Sequence, residues 1–141
     1  LYEVADKDIL MIVSNSGRNP DPVEMEISAK EKGVVVIALT SLDHSNHTAS
    51  RQKSGKKLYE IADIVIDNGS PKGDAGFRIE GLESPVGAYS SVTGMMIIQG
   101  LIAEVIDKLV KAGHQPPVFK SSNVDGSDDY NEMLFDTYYG G

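Results

Sequence analysis

The sequence has no cysteine and no tryptophan, and aromatic residues make up only 6% of its 141 positions. Without cysteine there is no disulfide framework, no thiol catalysis and no cysteine-based zinc site. With so few aromatics there is little to stack on a flavin or a nucleobase, so a flavodoxin-like flavin or nucleotide binder ranks last among the functions considered. Basic residues are also in short supply. Thirteen Lys and Arg face twenty-one Asp and Glu, for a formal charge of -8. A surface of that sign repels extended polyanions, so nucleic acids and anionic membranes are not expected partners. A single phosphate is different, because a few local donors can hold it against the global field. No uninterrupted apolar run reaches the ~18 residues of a membrane span, and no basic-then-apolar leader opens the chain. These features suit a cytoplasmic protein. Asn46-His47-Thr48 matches a glycosylation sequon, and without a secretion signal in view a chance match is expected.

What is present is the alternation of an α/β domain. Asp8-Ile-Leu-Met-Ile-Val13 is a short continuous apolar run, as expected of a strand buried on both faces of a parallel sheet. A turn-rich stretch follows from Gly17 to Pro22. A helix is predicted from about Pro22 to Lys32, with Val23 and Ile27 on one face and Gly33 as its stop. Val34 to Leu39 reads as a second buried strand, 41–55 as a long polar loop, Lys56 to Ala62 as a short helix and Ile64 to Ile66 as a third strand. Seven glycines and prolines between Gly69 and Gly87 mark an irregular segment. A long helix is predicted over Ser91 to Ala112, closed by Gly113 and Pro116-Pro117. A short helix is expected near Asp129 to Phe135 in an acidic tail.

Strand, helix, strand, helix, strand, helix implies right-handed crossovers and a three-layer, doubly wound parallel sheet. Three strands make a thin sheet for that class. Further strands are therefore expected upstream of Leu1 or from another chain. The domain is expected to occupy 1–120, with 121–141 as its polar acidic tail.

The chemistry is concentrated in Ser14-Asn15-Ser16-Gly17-Arg18-Asn19-Pro20, at the carboxyl end of the first strand and just before a helix. In open α/β sheets ligands bind outside the carboxyl ends of strands. The helix that follows presents unpaired N–H groups and a positive dipole end to an anion. Two hydroxyls two residues apart can both donate to phosphate oxygens, and Gly17 lets the backbone come close. The plain alternative is a polar strand-to-helix turn capped by serine. Asp21 and Glu24 near the first helical turn favour that alternative, since they oppose an anion.

The segment resembles the Ser-x-Ser-Gly loop of SIS (sugar isomerase) domains, which bind phosphosugars in isomerases, amidotransferase synthases, etherases and transcription regulators. The resemblance extends to Val36-Ile-Ala-Leu-Thr-Ser41, Ser54-Gly-Lys-Lys-Leu58 and Pro116-Pro-Val-Phe119. It is to a bacterial subfamily of SIS proteins related to phosphoheptose isomerases. It implies that Ser14 and Ser16 donate hydroxyls to phosphate and that Asn15 and Gly17 donate backbone N–H groups. The family pattern has Ser or Thr two positions after the glycine, where this chain has Asn19. Thr40 would face the same crevice, and Ser91 at the start of the long helix is a further expected contact. The implied ligand is a phosphorylated sugar, and the implied activity is aldose–ketose isomerisation or non-catalytic phosphosugar sensing. No metal or organic cofactor is implied.

No catalytic base stands out. His44 and His47 are three apart in the polar loop, and Glu80 and Glu83 lie in the irregular segment. Solvated surface residues are the simpler account of all four. Met95-Met96-Ile97-Ile98 is apolar nearly all round, as a core helix or a subunit interface would be. SIS proteins commonly dimerise, so a homo-oligomer is expected.

Overall fold

The computed structural model describes residues 5–139. Leu1–Val4, Gly140–Gly141 and the strands expected upstream lie outside the described residues. Three strands, β1 (Ile9–Val13), β2 (Val35–Thr40) and β3 (Ile64–Asp67), form a parallel sheet in the order β1-β2-β3. The register pairs Leu10 with Val36, Ile12 with Ala38 and Ala38 with Val65. Because side chains alternate along a strand, Leu10, Ile12, Val36 and Ala38 share one face. With Ala29, Val34 and Leu58 they make the core, against which Ala62 also packs. Complete burial of the first strand does not hold. Ile9 and Val13 are 67% and 56% exposed, and Val35 and Ile64 on the same face are also open. The core face is covered by α1 (Pro20–Glu31), whereas only part of the other face is covered.

Helix α1 starts at Asn19, whose backbone is extended and whose side chain makes no cap bond. Proline occupies its first and third positions, where fixed φ favours helix and the missing N–H costs little. It ends at Lys32, with Gly33 at φ 77. Its inner face buries Val23, Glu26 and Ala29.

Two stretches expected to be irregular carry structure. Within 41–55 lies α2 (Leu42–Asn46), whose first turn is capped by Ser41 Oγ accepting the His44 N–H at 3.0 Å. Five residues are too few to show an apolar period. The glycine-rich segment contains an antiparallel pair, β4 (Ala75–Phe77) and β5 (Val86–Ala88). Phe77 stacks on Tyr89 at 5.5 Å between centroids. A side chain at Gly87 would begin 2.5 Å from the Phe77 ring, so the glycine makes room for that stack. The short helix predicted over Lys56 to Ala62 is a single 3₁₀ turn, Leu58–Glu60.

Helix α3 (Tyr89–Lys111) is 23 residues long. By length and composition it could cross a bilayer, although only 6% of its apolar window is buried. Its apolar stretch is broken by Gln99 and Glu104, so no uninterrupted run marks it in the sequence. Gly94 is buried, and a methyl built on it would lie 4.0 Å from Leu39 Cδ2. This close approach sets the early turns of α3 against the second face of the sheet. In its last turns Glu104–Lys108 and Asp107–Lys111 pair at 3.0 and 2.6 Å. The chain divides into two compact units, one up to Gln99 and one from Gly100. The second contains the end of α3 and α4 (Ser127–Tyr139). There Asn131 both donates to Lys120 O and accepts from its N–H, each at 2.9 Å.

Candidate functional site

The loop between β1 and α1 is held almost entirely through its carbonyls. Ser14 O accepts from Gly17 N–H at 3.1 Å, and Asn15 O accepts from Ser41 N–H at 2.9 Å and from Thr40 Oγ1 at 3.1 Å. Ser16 O accepts from Ser45 Oγ at 2.9 Å, Gly17 O from Leu58 N–H at 2.8 Å and Arg18 O from Arg51 N–H at 2.9 Å. With five successive carbonyls turned to the protein, the N–H groups of Asn15, Ser16 and Arg18 have no acceptor among the described residues. Successive free N–H groups form an anion-binding concavity. The hydroxyls of Ser14 and Ser16 are likewise unengaged among the described residues, and both residues are partly exposed.

Two expectations for this site change. The Gly17 N–H closes the turn onto Ser14 O and is not available to a ligand. Thr40 is fully buried and holds Asn15 O, so it shapes the loop rather than facing the crevice. Asn19 is exposed, and its Oδ1 accepts from Arg51 at 3.4 Å. The helix end is a weaker donor than the spacing implied, because Pro20 and Pro22 have no N–H. Any grip on an anion therefore rests on the two serine hydroxyls and the loop amides.

The side chain of Asn15 is organised by residues that the sequence did not single out. Its Oδ1 accepts from Asn68 Nδ2 at 2.9 Å and from Ser70 Oγ at 2.7 Å. Asn68 and Ser70 are 5% and 1% exposed, and Ser70 N–H donates to Asn68 Oδ1 at 2.9 Å. The Asn68-Gly69 pair reads in sequence only as a strand stop. Nothing in it shows that the asparagine turns back to a loop 53 residues away. Beside Asn15 lies a pocket of about 210 Å³ with Asn68, Ser90 and Ser91 on its polar wall and Met95 and Ile98 on its apolar wall. Ser91 is thus brought to the loop. Ser90 is not free to cap its own helix, because its N–H and Oγ both donate to Asp74 at 2.7 Å. A larger cavity, about 450 Å³, runs along α1 past Lys30 and Lys56 and shares no residue with the loop.

The residues considered as bases are elsewhere. His47 Nδ1 lies 2.7 Å from Asp43 O and 3.2 Å from its carboxylate. His44 Nδ1 is buried without a partner. Glu80 and Glu83 are exposed. One carboxyl is strongly perturbed, and it is not in the pocket. Glu26 on α1 is fully buried with neither oxygen bonded, and burial pushes it up to about 7, with help from nearby Asp63 and opposition from Lys30. Asp63 is held below its usual range, chiefly by its hydrogen bond from Lys30 and also by the Val36 N–H.

Comparison with known proteins follows the same lines. Residues 1–41 match the SIS domain family. The UPF0309 protein BH3325 of Halalkalibacterium halodurans is 55% identical over 138 residues, which are 98% of this chain and 57% of that protein. The UPF0309 protein ABC0887 of Shouchella clausii is 42% identical over 135 residues, 96% of this chain and 55% of that one. This chain thus spans about half the length of the curated relatives it matches. A crystal structure described as that of an hypothetical protein superposes with a TM-score of 0.51 at 23% identity, over 77% of this chain and 52% of that one. That likeness concerns the fold. The carbonyl-anchored loop lies at the end of a parallel strand, inside the segment over which this chain matches the SIS domain family.

Proposed function

We propose that the Ser14–Gly17 loop binds the phosphate of a phosphorylated sugar or sugar derivative. The observation that carries this reading is a set of donors, two hydroxyls and three amides without an acceptor among the described residues, in a loop whose carbonyls are all engaged. Hydrogen bonds to a charged group contribute about 1.5–3 kcal/mol each. Three or four of them, less the entropy of association, give modest affinity for phosphate alone, so the sugar must supply the remainder. The leading version is a cytoplasmic aldose–ketose phosphosugar isomerase, working as a homo-oligomer without a metal or organic cofactor. On this reading 1–120 is the domain portion and 121–141 an acidic tail, and neither nucleic acid nor membrane is a partner.

A specific observation favours a second version, a non-catalytic phosphosugar-sensing module. Among the described residues no carboxylate or imidazole lines the pocket beside the loop, and isomerisation through an enediol needs a base within hydrogen-bonding reach.

A thermal-shift screen of the full-length protein against sugar phosphates and their unphosphorylated parents tests both versions. Ligands that bind the native state raise the melting temperature. Shifts confined to phosphorylated sugars, and abolished by Ser16→Ala, support the loop assignment. Shifts that survive Ser16→Ala remove it. A shifting ligand that is not turned over favours the sensing version.

A further inference from the structure

The free hydroxyls and amides of the loop account for an anion but not for what is attached to it. The adjoining pocket carries that information. Among the described residues it has no charged side chain and no aromatic ring on its wall, which suits neither a second anion nor a nucleobase. Its volume of about 210 Å³ is below the ~300–1,000 Å³ typical of sites for drug-sized ligands.

Its donors and acceptors are fixed by the fold. The amide orientation of Asn15 follows from a chain of hydrogen bonds that begins at a backbone group. Ser70 N–H can only donate, so Asn68 must present Oδ1 to it and Nδ2 to Asn15. Asn15 must then present Oδ1 to Asn68. Its Nδ2 is left buried and without a partner. Unpaired buried donors are rare in native proteins and call for a partner. Ser91 Oγ, on the exposed first turn of α3, is also unbonded among the described residues. Ser90 Oγ donates to Asp74 and so can only accept. Asn15, Ser90 and Ser91 all line this small neutral space, and together they match a hydroxyl group, which both gives and receives a hydrogen bond.

We infer that the carboxamide of Asn15, held by Asn68, and the hydroxyl of Ser91 form a subsite that recognises a hydroxyl on the carbon next to the phosphoester carbon of the ligand. This rests on the phosphate reading of the loop and adds a specificity element to it. The hydroxyl lies at the phosphoester end because Asn15 stands between the two serines that would hold the phosphate. The loop would therefore discriminate among phosphate esters through the side chain in its middle.

The test is a pair of small probes titrated into the full-length protein and followed by amide NMR shifts, with inorganic phosphate as reference. Glycerol 3-phosphate carries the hydroxyl, and 3-hydroxypropyl phosphate lacks it. A site built to hydrogen-bond a hydroxyl rejects the analogue without it, and a preference of about tenfold is expected. Ser91→Ala removes a side chain with no role in the fold, and Asn15→Asp keeps the acceptor that Asn68 and Ser70 need while removing the donor. The added charge of Asn15→Asp weakens both probes alike, so the ratio is the quantity read. Each substitution should bring the ratio within about twofold of unity. A wild-type ratio near one, or a ratio that both substitutions leave intact, overturns the inference while phosphate still binds. Loss of phosphate binding altogether is a different result, and it removes the loop assignment and this inference together.

Discussion

At Gly17 the chain adopts φ 57, and a Cβ there would lie 3.0 Å from Thr40 Oγ1 and 3.2 Å from Leu58 Cβ. Both contacts come from residues that hold the loop, so the space cannot open without loosening its anchors. Left-handed backbone costs a side-chain-bearing residue about 1–2 kcal/mol. The contacts with buried neighbours add to this. Gly17→Ala is expected to lower stability by about 1–3 kcal/mol, read from the urea midpoint, and to weaken inorganic phosphate binding in the surviving folded fraction. A variant of unchanged stability would mean that the loop is not clamped as described. Thr40→Val keeps the shape and removes one hydrogen bond to Asn15 O, at a cost near 1 kcal/mol.

Among the elements, α1 carries a built-in pH dependence. The folded-state pKa of Glu26 is raised from 4.5 to about 7, so folding takes up a proton between those values. Above about pH 7 the folded state must bury a charge that the unfolded state leaves in water, and stability is reduced. The penalty falls away as the pH drops below 7 and is gone below 4.5. Glu26→Gln should therefore stabilise the protein by a few kcal/mol at pH 8, with the gain vanishing near pH 4, as followed by urea denaturation. A gain independent of pH would place the cause in packing instead. Asp63 has the opposite sign. Its pairing with Lys30 is retained above the usual aspartate range and lost as the pH falls below it. Helix α3 depends on a distant cap. Asp74, at φ 70, receives both the N–H and the hydroxyl of Ser90. Asp74→Ala should lower the melting temperature by the equivalent of about 1 kcal/mol, and Asp74→Asn should recover most of it.

For the whole molecule, exposed apolar surface is the main feature. Val92 and Met96 on α3 are 70% and 68% exposed, and Ile9 on the sheet is 67% exposed. A parallel sheet ordinarily has both faces covered, and large exposed apolar side chains on the helix beside it favour an interaction face there. Sedimentation of the full-length protein is expected to show a homo-oligomer, and Met96→Glu to shift it toward monomer. A monomeric wild type would remove the interface role of α3. The charge of -8 makes such association easier at moderate than at very low salt, because screening reduces the repulsion between copies.

The sequence alone determined the three parallel strands, the principal helices and the place of the loop. Those features are local: apolar runs, a helix period, Gly33 as a stop, and hydroxyls around a glycine at a strand end. The short α2, the β4–β5 hairpin and the cap by Asp74 were hidden, because they depend on a few residues or on partners far along the chain. Tertiary structure decided which polar groups of the site are free. Ser14 and Ser16 look like Thr40 in sequence, yet the first two are open and the third is buried under Asn15 O. Asn15 reads as a spacer until Asn68 and Ser70 turn its carboxamide. A hydroxyl or amide is the same chemical group wherever it stands. Whether it binds a ligand depends on which hydrogen bonds the fold has already made for it.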